Sequence, residues 1–170
     1  MTTEKQYHGG CYCGAVRFTL TGPPNGAQAC HCSICRRLQG STFGVEAAFW
    51  PRENLTVTDG AELLTEFLSP ARYSRNFCHK CGTRAFMSFE KAAMPIPLVA
   101  VYPTILDEVY GEPALLPEFK PVRHIYYANR LYDICDGVAK FADMPAEFGG
   151  SGQLLSDRGE QLQSEEGAKA

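Results

Sequence analysis

Apolar and polar residues alternate over short runs with a period of two, and no stretch keeps a helical period for long. From Ala15 to Leu20 the sequence A-V-R-F-T-L places Val16, Phe18 and Leu20 on one face and Ala15, Arg17 and Thr19 on the other. The first set predicts the core side of a strand. Phe43 to Trp50 is a more continuous apolar run, stopped by Pro51. Leu55 to Thr58 alternates, Asp59-Gly60 signals a turn, and Glu62 to Leu68 reads as the answering strand of a hairpin. Further strands are predicted at Arg75 to Cys78, Ala85 to Phe89, Leu98 to Tyr102 and Arg123 to Tyr127. One or two helical turns are expected over Cys32 to Leu38.

Composition supports this picture of short pieces. Eleven prolines and sixteen glycines punctuate 170 residues, and 45% of the chain is hydrophobic, enough for a packed core. An all-β fold of short antiparallel sheets with a few helical turns fits best. Residues 1–8 read as a polar lead and 9–148 as one folded domain. Residues 149–170 lack aromatics and are rich in Gly, Ser, Gln and Glu, so they read as a flexible tail or docking arm.

Charge and hydropathy narrow the function. The formal net charge of −3 gives no basic surface for nucleic acid. The N-terminal ten residues lack the apolar centre of a secretory signal. The longest apolar stretch, Ala92 to Tyr102, is broken by Pro95 and Pro97 and is too short for a bilayer. A soluble cytoplasmic protein is expected, with no membrane partner and with its thiols reduced.

Eight cysteines then change the question, because seven of them cluster: Cys11 and Cys13; Cys30, Cys32 and Cys35; Cys78 and Cys81. In a reducing compartment such clusters indicate metal or redox chemistry rather than a disulfide frame. No thioredoxin-like βαβ pattern surrounds the C-x-x-C pairs, which favours metal over redox. Thiolates suit zinc, which takes about four ligands. Gly14 and Gly82 each follow the last cysteine of a pair and permit a tight turn. These matched glycines favour joining Cys11, Cys13, Cys78 and Cys81 in one closed structural site. Cys30, Cys32 and Cys35 supply three ligands and leave one position open. Three thiolates make a poor site for generating hydroxide but a good one for capturing a further sulfur, so a thiol substrate is predicted.

Other readings stay open at this level. His8, His31, His79 or His124 could close the three-cysteine site, although His31 lies inside an extended C-x-C and should point away. His124, in an aromatic strand, reads as a packed or hydrogen-bonded histidine. Arg36 and Arg37 read as surface charges, with a substrate carboxylate clamp as the alternative role. Tyr126 and Tyr127 read as packing residues, and Cys135 as a buried core thiol. No proton carrier can be named.

The motifs Gly10-Cys11-Tyr12-Cys13-Gly14-Ala15-Val16, Cys30-His31-Cys32-Ser33-Ile34-Cys35-Arg36 and Phe77-Cys78-His79-Lys80-Cys81-Gly82 together closely resemble the glutathione-dependent formaldehyde-activating (GFA) family, which includes the centromere protein V type. The resemblance runs from about Gly9 to Phe141 and takes in Arg123-His124-Ile125-Tyr126 and Asp136-Gly137. It implies a β-tent-like fold stabilised by zinc. It also implies a structural zinc at Cys11, Cys13, Cys78 and Cys81, and a second zinc at Cys30, Cys32 and Cys35 open to a thiol. The implied activity is that of a carbon–sulfur lyase acting on the adduct of glutathione, or another small thiol, with an aldehyde such as formaldehyde. Where members often carry a Pro-Trp pair, this chain has Arg130-Leu131-Tyr132. The rival function is a non-catalytic module in which both zincs scaffold a protein-binding surface; a zinc or thiol stress sensor is a third.

Overall fold

The computed structural model describes residues 4–92 and 96–162. Among these residues the chain forms twelve strands and one α-helix, as the period-two patterning predicts. The strands are β1 (Gln6–Gly10), β2 (Arg17–Thr21), β3 (Gly26–Cys30), β4 (Val45–Pro51), β5 (Leu55–Asp59), β6 (Leu64–Leu68), β7 (Ser74–Cys78), β8 (Arg84–Ser88), β9 (Leu98–Val101), β10 (Arg123–Ile125), β11 (Ala139–Phe141) and β12 (Leu154–Leu155). The helix, α1, spans Ser33–Gln39. The chain divides into two compact units: residues up to Ala27 with Ala47–Lys120, and Gln28–Glu46 with the residues from Pro121 onward. No helix among the described residues is long and apolar enough to cross a membrane.

In the first unit, β1, β2 and β5 form a three-stranded antiparallel sheet. β4, β9, β8, β7 and β6 follow one another as antiparallel neighbours. The alternation read in β2 is realised: Val16, Phe18 and Leu20 are at most 1% exposed. Phe18 packs edge-on against Phe86, and Tyr7 against Trp50 and Phe119. Trp50 is fully buried, and its indole N–H is satisfied by the Gly22 carbonyl at 2.9 Å.

Two expectations change here. Residues 4–8 are not a loose lead, because Tyr7 is a core residue and β1 pairs with β2 along its whole length. The Asp59-Gly60 turn is real, but the two flanking strands do not form a hairpin. A single 3₁₀ turn over Ala61–Leu63 redirects the chain, so β5 pairs with β2 while β6 pairs with β7, Leu64 opposite Cys78. Turn chemistry signals a reversal; side-chain burial selects the partner.

In the second unit, β10 lies between β3 and β11 and runs parallel to both; β12 closes the edge antiparallel to β11. The expected strand at 123–127 ends at Ile125, where Tyr126 turns into the left-handed region (φ 54°). Part of the polar C-terminal segment is ordered rather than a tail: Leu155 is buried, and β12 pairs with β11. A short pairing edge needs few apolar residues, so composition missed it. The remainder of the predicted tail, 163–170, lies outside the described residues.

Truncating Phe18 to Ala should lower stability by about 3–5 kcal/mol, the usual cost of emptying a buried aromatic site. Urea denaturation monitored by the fluorescence of Trp50 would measure it. A loss below about 1 kcal/mol would show that this ring is not part of a tight core.

Candidate metal centres

Two groups of cysteines have sulfurs lying within 4.8 Å of one another: Cys11, Cys13, Cys78 and Cys81, and Cys30, Cys32 and Cys35. All seven clustered cysteines fall into the two sets expected from spacing. No imidazole or carboxylate joins either group among the described residues.

The four-cysteine group is built in the first unit from two matching turns. In one, Cys11 N donates to the Val16 carbonyl and Gly14 N to the Cys11 carbonyl; in the other, Cys78 N donates to the Thr83 carbonyl and Gly82 N to the Cys78 carbonyl. Gly14 and Gly82 share a φ of 75°, which an L side chain rarely adopts. Cys11 and Cys78 are buried. Sulfur separations of 3.4 Å (Cys11 to Cys13) and 3.9 Å (Cys13 to Cys78) bracket the edge of about 3.8 Å expected for four sulfurs about 2.3 Å from a zinc ion. The donor set therefore fits a tetrahedral soft cation. Val16 N–H points at the Cys11 sulfur at 3.2 Å, and Thr83 Oγ1 lies 3.3 Å from that of Cys81. The Thr83 hydroxyl and N–H hold the Cys81 thiol down to about 5. At Cys13 the Ala15 N–H favours the thiolate, but the neighbouring Cys11 and Cys81 thiols prevail and push it up to about 11. Crowded sulfurs cannot all carry charge without a counter-ion.

The three-cysteine group belongs to the second unit. Cys30 ends β3, Cys32 is the N-cap of α1, and Cys35 sits in its first turn. The Cys35 N–H donates to the Cys32 sulfur at 3.3 Å, an ordinary capping bond made with a thiol. Hydrogen bonds from the Cys30 and Cys35 thiols, aided by the Cys35 and Ile34 N–H groups, hold Cys32 far below the usual thiol range. Cys32 and Cys35 in turn push Cys30 up. All three thiols are partly exposed. The three-donor set fits a soft cation, one donor short of a tetrahedron.

His31 behaves as the alternating backbone predicts and faces away from the thiols. It is 1% exposed, and its Nε2 lies 2.8 Å from His124 Nδ1. His124 Nε2 lies 2.8 Å from Asp136 Oδ2, and Asp136 Oδ1 accepts from Lys140 Nζ at 2.6 Å. Lys140 is buried and also pairs with Asp157 at 2.7 Å. Burial, with His124 and Arg36 beside it, draws His31 down to about 4, so it is neutral near pH 7. Tyr127, fully buried, crosses both imidazoles edge-on and donates its hydroxyl to the Asp157 carbonyl.

Arg36 donates from Nε to the His31 carbonyl at 3.0 Å, and Arg37 is exposed. Arg36 is thus a backbone brace. A cavity of about 500 Å³ is lined by Ala29, Gly44, Glu46, His124, Cys135 and Asp136 among others, and by none of the three clustered cysteines. Cys135 is exposed, against the expectation of a core thiol, because the 131–137 segment is largely solvent-facing.

With both groups in place, similarity to known proteins becomes informative. The sequence profile of the glutathione-dependent formaldehyde-activating enzyme (GFA) family matches residues 6–129. The chain belongs to the GFA family. Three fungal relatives carry that enzyme name as a provisional assignment. The protein from Aspergillus terreus is 37% identical over 82 residues, covering 47% of this chain and 42% of the relative. Those from Penicillium rubens and Fusarium vanettenii are 34% and 32% identical, covering 48% of this chain and 43% of each relative. The chain thus matches under half the length of these curated relatives. A crystal structure of a Rhodobacter sphaeroides protein is similar at 30% identity and a TM-score of 0.50, covering 61% of this chain and 91% of that one.

Spacing located the cysteines, and the resemblance took in His31, His124 and Asp136 without linking them into a network. Lys140 and Asp157 carried no motif; a lysine three residues after Gly137 gives no signal of burial. Acid stability reports on that network. Burial favours the neutral Asp136 acid, but the Lys140 ammonium, the Val138 N–H and His124 outweigh it and hold the carboxyl at about 2, below its ordinary 3.8. A depressed carboxyl stabilises the fold above its unfolded pKa, and this contribution is lost as pH falls from about 4 through about 2. Asp136 is a third exposed, so on the order of 1 kcal/mol is expected. Asp136→Asn should lose that stability at pH 7 and flatten the acid limb of the denaturation curve. An unchanged limb would remove Asp136 from the network.

Proposed function

We propose that the chain is a zinc-dependent carbon–sulfur lyase. Its substrate is the adduct of a small thiol, such as glutathione, with an aldehyde, such as formaldehyde. The observation that carries this reading is the separation of a closed four-thiol group from a three-thiol group in a member of this family. Cys11, Cys13, Cys78 and Cys81 would hold a structural zinc. Cys30, Cys32 and Cys35 would hold the second, which would offer a fourth, soft position to a substrate sulfur.

The chain's own residues account for the rest. The capping bond on Cys32 and the Arg36 brace on His31 fix the two ends of the C-x-C-x-x-C turn before any ligand arrives. Exposed Ile34, at 61%, provides an apolar surface beside the thiols against which a substrate can lie. The reaction joins the thiol sulfur to the aldehyde carbon and transfers the thiol proton to the carbonyl oxygen; the reverse breaks the same bonds. Holding sulfur and carbon together supplies the main rate gain. Support for the thiol comes from the donor chemistry and the family, and the lack of a basic stripe speaks against nucleic acid. The cytoplasm, where thiols stay reduced, is the fitting location.

Exchange NMR of glutathione and formaldehyde with the zinc-loaded protein should show adduct formation and breakdown faster than in buffer. No acceleration with two zincs bound would reject this substrate pair. Cys32→Ser should abolish the acceleration and keep the fold. By contrast, Cys81→Ser should lower stability by at least about 3 kcal/mol, roughly 6–12 °C in Tm, because it opens the structural site. Equal melting in both variants would make the three-cysteine group structural and favour a non-catalytic binding module.

A further inference from the structure

The sequence places His31 between two thiol donors, and the fold then gives its ring a buried task of its own. The backbone of His31 is tied at both ends: its N–H donates to the Ile125 carbonyl at 2.9 Å, and its carbonyl accepts from Arg36. Its ring is tied to His124, and His124 to Asp136. Bonding logic assigns the protons. A carboxylate only accepts, so His124 Nε2 donates to Asp136; with a single proton on that ring, Nδ1 is left as an acceptor for His31 Nε2–H. The order of donors runs one way, from His31 to His124 to Asp136, with Lys140 anchoring the far end. A Cβ at Gly44 would stand 3.0 Å from both Cε1 and Nε2 of His31, so the ring is also confined by backbone on that side.

We propose that His31, His124 and Asp136 form a positioning relay for the three-cysteine centre. The relay fixes the residue between Cys30 and Cys32, and so sets the spacing of their sulfurs, without contributing a ligand. It extends the second-sphere principle from groups that touch a ligand to a group between two ligands in the chain. This inference rests on the assignment of a metal to Cys30, Cys32 and Cys35.

The test uses cobalt(II) as probe, titrated into the reduced full-length protein, with thiolate-to-cobalt absorbance and chelator competition resolving the two ions. His124→Ala should weaken the three-cysteine ion about 10–100-fold and leave the four-cysteine ion unchanged. His124→Asn should recover most of that loss, because its Oδ1 can replace Nδ1 as acceptor for the His31 N–H. Gly44→Ala, which leaves every relay partner in place but presses the His31 ring, should weaken the same ion several-fold. It also keeps the proposal testable if His124→Ala does not fold. Equal weakening of both ions in these variants, or wild-type affinity in all of them, overturns the relay. Nitrogen-15 NMR of the metal-free protein gives a readout that owes nothing to metal. His124 must carry its proton on Nε2, and a proton on Nδ1 overturns the relay even if both ions bind. A wild-type protein that takes up only one cobalt overturns the proposed function and the relay's purpose with it. The tautomer result would stand apart from that failure.

Discussion

Four sulfurs drawn from residues 11–13 and 78–81 must share a space 4.8 Å across, and the first unit is organised around holding them there. Two of the sulfurs are buried, so solvent cannot offset their mutual repulsion once they ionise. The two turns answer with the same device: a matching pair of backbone hydrogen bonds around the first cysteine, and a glycine at φ 75° that closes each bend. Leu64 pairs with Cys78, and Val16 buries itself beside Cys11, so the adjoining strands continue out of the cluster. Cross-linking segments this far apart would remove much of the loop-closure entropy of the unfolded chain. Hydrophobic packing of Tyr7, Phe18 and Trp50 provides the bulk stability.

The second unit solves a different problem. The partly exposed Asp136 and Asp157 supply carboxylates to its interior of two imidazoles and an ammonium, groups that are costly to bury unless each is paired. Here each one is. His31 meets His124, His124 meets Asp136, and Lys140 meets both Asp136 and Asp157. A satisfied network of this kind is directional and admits one arrangement, where an apolar core would tolerate several. That rigidity suits three half-exposed thiols, which have little apolar packing of their own to define their positions. Placing the network on the opposite side of the backbone from the sulfurs lets the thiol side remain accessible.

The cysteine groups were legible in the sequence because C-x-C and C-x-x-C spacings constrain near neighbours through local backbone geometry, and because the matched Gly14 and Gly82 linked the two distant pairs. The core face of β2 was legible for the same reason: a period of two is a local property. Pairing was not. Whether Glu62 to Leu68 answers the strand before it or the one after depends on which surface each face must cover, and Asp59-Gly60 carries no information on that choice. β1 and β12 escaped because each buries a single large side chain, Tyr7 or Leu155, in a segment whose flanks are mostly polar or glycine. Cys135 misled in the opposite sense: a cysteine's average preference for burial says little about a solvent-facing loop.

By itself, then, the sequence determined the period-two patterning, the two sets of thiols and the alternation that turns His31 away from Cys30 and Cys32. The patterning, the three-cysteine set and the turn of His31 follow from bonds and dihedral angles over a few residues, and the matched glycines linked the two distant cysteine pairs. Only the tertiary structure decided that His31 would meet His124 across a parallel strand pair, and that Lys140 would be buried against Asp136 and Asp157 to complete the chain. Those contacts join residues far apart in sequence, where no periodicity reaches and only the shared exclusion of water selects partners.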